Sequence, residues 1–256
     1  MNDMTRALRQ VMFTNKAFWR NPASAFFTLV FPIMFLVIFS LVFGNQNIRI
    51  AGVKTTVATF YVPAITAFAV ITACYTNIAI SLTFQRDSGV LKRIRGSPLP
   101  AWAYMVGRIA HAVLLAILLV IICATFGRLF YGAALPTHTL PAFLLTLVVG
   151  AATFCALGIA VTAVIPNADA SPAVVNASVL PLLFISNVFI PLQNAPAWLD
   201  TVSKLFPIRH FADALVGSYF SPTGSGLYRN DLLVMAAWGV AALLIGARFF
   251  SWEPRQ

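Results

Sequence analysis

The chain has 256 residues, of which 60% are hydrophobic, 13% aromatic and only 9% charged, with mean hydropathy +0.86. A soluble domain carries about 25% charged residues and disorder needs low hydrophobicity, so both classes are excluded. The formal net charge of +10 forms no dense stripe beyond one short loop, which argues against a nucleic-acid partner; a membrane protein with a basic cytoplasmic face accounts for it.

In chain order, residues 1–22 predict an amphipathic interfacial helix. Met4, Ala7, Leu8, Val11, Met12, Phe18 and Trp19 recur at helical spacing, while Arg6, Arg9, Lys16 and Arg20 fall elsewhere on the wheel, a pattern suited to anionic lipid headgroups. A cleaved signal peptide fits less well, because no small-x-small site follows the first apolar run. Residues 23–256 then form a single transmembrane domain. Its six apolar stretches lie at about 24–43, 58–83, 101–127, 140–165, 172–192 and 231–250, each long enough to cross about 30 Å of hydrocarbon. The expected fold is an all-α polytopic membrane protein with six spans.

Two connections stand apart. Residues 84–100 form a basic loop between the second and third spans. Residues 193–228 are too apolar for an ordinary loop, yet Pro196, Pro207 and Pro222 cut them into pieces too short to span; they predict short re-entrant helices on the outer side. Lys and Arg concentrate on the side holding Arg6, Arg9, Lys16, Arg20, Arg86, Lys92, Arg93 and Arg95. That bias predicts both termini in the cytoplasm.

Much chemistry is missing from the sequence. No G-x-x-x-x-G-K-[ST] loop is present, so the chain lacks the usual phosphate cradle. His111, His138 and His210 are scattered without acidic partners at ligand spacing, and a zinc site is not expected. Cys74, Cys123 and Cys155 sit in apolar runs and read as small buried hydrophobes. No span centre carries a carboxylate, which disfavours an ion-coupled carrier and points to energy supplied by a partner.

The basic loop reads Gln85-Arg86-Asp87-Ser88-Gly89-Val90-Leu91-Lys92-Arg93-Ile94-Arg95-Gly96-Ser97-Pro98. It resembles the signature of the ABC type-2 exporter permeases, an acidic and basic start followed by Gly-Thr-Leu, a basic pair, Leu and Ser/Thr-Pro. Arg86, Asp87, Gly89, Leu91, Lys92, Arg93, Ser97 and Pro98 match; Gln85, Val90 and Ile94 stand where Glu, Thr and Leu are more usual. The outer run with Pro191, Pro196, Trp198, Leu199, Pro207, Ala214 and Leu215 is similar to that family's as well, with Val216 where an Arg often follows.

The resemblance implies a permease subunit that binds no cofactor itself, with ATP held by a separate ABC ATPase. It implies a second copy of the chain or a sister permease as partner, within a bacterial plasma membrane and in contact with its lipids. Arg86, Asp87, Gly89, Leu91, Lys92, Arg93 and Pro98 become the expected ATPase-coupling residues, although Lys92, Arg93 and Arg95 also satisfy the positive-inside rule without any such role. The second and fifth spans are expected to flank the export path. Thr66 and Asn77, like Asn176 and Asn187, are eleven residues apart, three helical turns that return within about 20°. These four side chains are candidates to line the path, or equally to hydrogen-bond neighbouring helices. The loop is closer to the drug and antibiotic exporters than to the polysaccharide branch, so the expected cargo is a hydrophobic or amphipathic drug, antibiotic or lipid. A glycan exporter and an ATP-independent carrier are the alternatives.

Overall fold

The computed structural model describes residues 3–44, 46–50, 53–97, 99–190, 196–221 and 225–253. The amino-terminal helix α1 (Asp3–Trp19) is followed by α2 (Pro22–Phe43), started by Pro22 and capped by Asn21, whose side chain accepts from the Ser24 amide at 3.2 Å. The next connection is an antiparallel hairpin of β1 (Asn47–Ile50) and β2 (Val53–Thr56), with Asn47 opposite Thr56 and Ile50 opposite Val53. The second span comprises α3 (Val57–Ile71), a π-helical turn at Thr72–Thr76, and α4 (Asn77–Asp87). A single helical turn, α5 (Val90–Arg95), leads into the long α6 (Ala101–Tyr131), which ends at Gly132 with φ +63°. Then come α7 (Leu140–Val161), α8 (Ser171–Phe184), the short pair α9 (Ala197–Ser203) and α10 (Pro207–Phe220), and α11 (Arg229–Phe249).

The all-α polytopic architecture stands, and the chain is a multi-pass membrane protein. Five helices, 22–43, 57–87, 101–131, 140–161 and 229–249, are long and apolar enough to cross a membrane. The expected fifth span, 172–192, is different: it is a helix of only 14 residues followed by turns at 185–190. That helix rises about 21 Å at 1.5 Å per residue. The irregular residues continue its course, since Tyr61 near the start of α3 donates its hydroxyl to the Phe189 carbonyl at 3.0 Å. Val188 and Phe189 are buried, and non-helical backbone at membrane depth is tolerated where protein covers it.

The second span is the axis of the bundle. In its most apolar window 83% of residues are buried, against 17% for α2. Helices α2, α6, α7, α8 and α10 surround it, while α11 packs on α7 and α10. Helix α1 lies along α6, with Ala7, Thr14 and Phe18 buried and Leu8, Met12 and Phe13 exposed. The expected amphipathic face is therefore divided between the bundle and the exterior.

Helix α10 enters the bundle. Its Phe211 packs against Phe154 of α7 at 5.3 Å between ring centres, and Ser218 near its other end accepts from Thr139 at the start of α7. At the elbow before α10, the Leu205 carbonyl accepts from the indole of Trp238, midway along α11, at 3.1 Å. The elbow thus packs against the middle of α11. The part of the expected outer run at 191–195 and 222–224 lies outside the described residues.

Candidate functional site

At the end of α4 the chain makes its most concentrated set of long-range polar contacts. Arg86 is 2% exposed. Its Nη1 donates to the Thr162 carbonyl at 3.1 Å and its Nη2 to those of Ile165 and Pro166 at 2.9 and 3.0 Å. Nε donates to Asp87 Oδ1 at 3.1 Å, and Asp87 Oδ2 accepts from the Ala168 amide at 2.5 Å. These carbonyls belong to the end of α7 and the connection to α8, where helix termini leave acceptors without partners. The planar five-donor fork of arginine suits several such acceptors together. Arg86 and Asp87 therefore face inward, and both are engaged within the chain.

Gly89 then reverses the chain at φ +71°, a left-handed conformation that a side chain resists. The turn launches α5, whose faces are divided. Leu91 is fully buried, while Lys92, Arg93 and Arg95 are exposed. Of the seven residues expected at a coupling site, the structure makes Arg86 and Asp87 the inner tie, Gly89 the turn, Leu91 the anchor and Lys92 and Arg93 the outward face; Pro98 lies outside the described residues. Beside them Tyr104 of α6 hydrogen-bonds Gln85, and Arg108 hydrogen-bonds Ser81 of α4. Arg108 thus turns into the bundle toward α4.

The π-helical turn at Thr72–Thr76 interrupts the second span. Gly158 of α7 sits against it: a Cβ there would lie 2.9 Å from the Tyr75 carbonyl oxygen and 3.1 Å from that of Cys74. From this turn the Tyr75 hydroxyl reaches Ser178 Oγ of α8 at 2.6 Å. With the Tyr61–Phe189 bond, it joins the second and fifth crossings within one protomer. Such turns recur at functional sites, but no side-chain signal among Thr72–Thr76 announces this one.

The four path candidates do not converge within the protomer. Thr66 is buried and donates to the Val62 carbonyl at 2.7 Å. Asn187 has φ +61° and donates from Nδ2 to Asp213 Oδ1 at 2.9 Å, tying the end of the fifth crossing to α10. Asn77 is half-buried just after the π turn, and Asn176 is exposed on the outer face of α8.

Asp213 belongs to a polar cluster that links α9, α10 and α11. Arg209 pairs with Asp213 and, at 3.3 Å, with Asp200; Lys204 pairs with Asp200 at 2.5 Å. His210 Nδ1 lies 2.6 Å from Asp231 Oδ1 on α11, and its Nε2 lies 2.9 Å from the Lys204 carbonyl. The Lys204 ammonium on Asp200 holds that carboxyl below its ordinary 3.8, with Arg209 adding to the effect. Among the described residues no group of three His, Cys, Asp or Glu side chains is placed to hold a metal ion.

Comparison with known proteins agrees with this architecture. The Porphyra purpurea protein ycf38, named as a transport permease, is 24% identical over 226 residues, covering 88% of this chain and 76% of that one. The Escherichia coli K12 protein YbhR, named as a multidrug ABC transporter permease, is 24% identical over 72% of this chain and 50% of its own length. The daunorubicin resistance ABC transporter permease protein DrrB1 of Streptomyces coeruleorubidus is 26% identical over 77% of this chain and 69% of its own. The profile of the ABC-2 type transporter family matches residues 9–220, and the chain belongs to that family of transport permeases.

Proposed function

We propose that this chain is the membrane subunit of an exporter driven by a separate ABC ATPase, and that the α5 turn receives the force. One observation carries the reading: α5 exposes Lys92, Arg93 and Arg95 while Leu91 is buried and Arg86, immediately before the turn, is bonded to the connection between α7 and α8. A push on the exposed cations is transmitted by the Leu91 anchor to α4 and, through the guanidinium, to α8. The second and fifth crossings then move together, because hydroxyl bonds join them. No charged side chain lies on α8, whose exposed polar groups are Asn176 and Ser178. On this reading two membrane subunits place their α8 faces on either side of the path, most simply as a symmetric dimer. Asn77 and Asn176 flank that path, whereas Thr66 and Asn187 hold the helices around it.

The proposed cargo is a hydrophobic or amphipathic small molecule. Support comes from the apolar linings within the bundle and from relatives named for multidrug and daunorubicin resistance. The proposed setting is a bacterial plasma membrane, with the termini and α5 on the ATPase side. The test is co-reconstitution in proteoliposomes with a candidate ABC ATPase partner. ATP-dependent movement of amphipathic antibiotics that needs both chains supports the proposal. Transport without the ATPase, or of lipid-linked glycans alone, contradicts the driver or the cargo respectively.

A further inference from the structure

A cavity of about 230 Å³ lies within one protomer, between the π turn, α7, α8, the elbow before α10, and α11. Phe154, Leu182, Phe206 and Trp238 form its apolar walls, and Tyr75 and Ser178 supply its polar edge. Leu182 and Trp238 are partly exposed, and α11 is long and apolar enough to cross a membrane, which puts the mouth on a lateral face of the bundle.

The hydrogen atoms at this edge can be assigned. Ser178 donates to the Val175 carbonyl at 2.7 Å, so its contact with Tyr75 at 2.6 Å requires Tyr75 to donate and Ser178 to accept. The Trp238 N–H is spent on the Leu205 carbonyl at 3.1 Å. All three side-chain donors around the cavity are therefore committed, and what remains is lone-pair capacity on the Tyr75 and Ser178 oxygens. A carboxylate, a phosphate or an ester carbonyl would find no donor there. A hydroxyl or a protonated amine finds acceptors, and a cation also gains from the surrounding aromatic faces.

Volume narrows the occupant further. The cavity exceeds the roughly 150 Å³ of an engineered void that holds benzene, but falls below the roughly 300 Å³ at which pockets enclose a drug-sized ligand. It takes a ring or a short chain while the rest of the molecule stays at the mouth. We infer that this lateral cavity binds the apolar end of a lipophilic alcohol or amine, with Tyr75 and Ser178 accepting its hydrogen bond. The inference extends the cargo class proposed above to a site inside the protomer, but binding there requires neither ATP nor a partner chain.

The experiment is photolabelling of the whole chain in phosphatidylcholine nanodiscs, a lipid without a hydroxyl donor. The probes are a diazirine-bearing octanol and its methyl ether, which keeps the chain and loses the donor. Saturable adducts of the alcohol at residues 178–182 and 206–208 are expected, with the ether about tenfold weaker. The double variant Tyr75→Phe/Ser178→Ala should reduce alcohol labelling to the level of the ether, and Leu182→Trp should remove labelling by filling the space. The wholly apolar cleft between α6 and α7, lined by Val113, Ile117, Leu144 and Val148, should take both probes equally in every variant and so reports an intact fold. Competition by dodecylamine with ATP-driven uptake identifies an exported compound, and competition by mono-olein alone identifies a membrane lipid. Equal labelling by alcohol and ether in the cavity, or competition by neither compound, overturns the inference. Lost transport with binding intact would instead count against the exporter reading.

Discussion

The guanidinium of Arg86 donates to the Ile165 carbonyl at 2.9 Å, joining residues 79 positions apart and fastening the end of the second span to the start of the fifth crossing. Both ends of this bond are buried, so it is shielded from solvent screening. Replacing Arg86 by Ala leaves the Thr162, Ile165 and Pro166 carbonyls without this donor. Charge-assisted bonds are worth about 1.5–3 kcal/mol each when measured singly, and they are not additive. A loss of about 3 kcal/mol is expected, read as a lowered unfolding temperature in detergent. Arg86→Lys should recover only part of it, because one ammonium cannot occupy the same fork of acceptors. Unchanged stability in both variants would show the tie to be incidental.

Gly89 requires its left-handed φ but has open space where a Cβ would project. Backbone strain, without a clash, is thus the expected cost of substitution. Gly89→Asn should be tolerated, since Asn visits this region, while Gly89→Val should cost about 1–2 kcal/mol. Equal unfolding temperatures for the two variants would contradict this account.

Gly158 presents the opposite case. A Cβ there meets backbone oxygens of the π turn at 2.9 and 3.1 Å, and backbone cannot swing aside as a side chain can. Gly158→Ala should cost about 1–3 kcal/mol and push the π turn away from α7. A double-mutant cycle of Gly158→Ala with Tyr75→Phe measures that displacement: the loss caused by Tyr75→Phe should shrink in the alanine background, and an unchanged loss would contradict it.

Some of this architecture was legible and some was not, for physical reasons. Long apolar runs fix the presence of spanning helices, so 22–43, 101–131 and 229–249 appear close to where hydropathy puts them. Hydropathy does not distinguish helix from buried turn. The run Ile185-Ser186-Asn187-Val188-Phe189 is apolar enough to extend a span, yet it leaves the helix where Asn187 turns to Asp213. The Val, Ile and Thr residues on either side of Ala51-Gly52 carry a usable strand signal for β1 and β2. Arg86 stands in the basic loop as an expected coupling residue. Its direction depended on carbonyls far along the chain, which no local spacing reveals. The π turn was equally hidden, because its companion is a glycine on another helix.

Helices α9 and α10 should respond to acid through Asp200. Its folded-state value is depressed chiefly by the Lys204 hydrogen bond, so its contribution to stability is present above the ordinary 3.8 and is lost as pH falls through the lower folded value. Hydrogen exchange in α9 should therefore rise at the acidic end, and Lys204→Met should remove much of that dependence. A dependence unchanged in the variant would place its origin elsewhere.

The central claim is that the exposed cations of α5 are the contact through which an ATPase drives this chain. The direct measurement is ATP hydrolysis and complex formation by the reconstituted pair, comparing the wild type with Lys92→Glu/Arg93→Glu. Both side chains are exposed, so the unfolding temperature should stay nearly the same, within about 0.5 kcal/mol of stability per site. Coupled hydrolysis and co-purification of the ATPase should be lost. A variant that binds the ATPase and transports as well as the wild type would contradict the account.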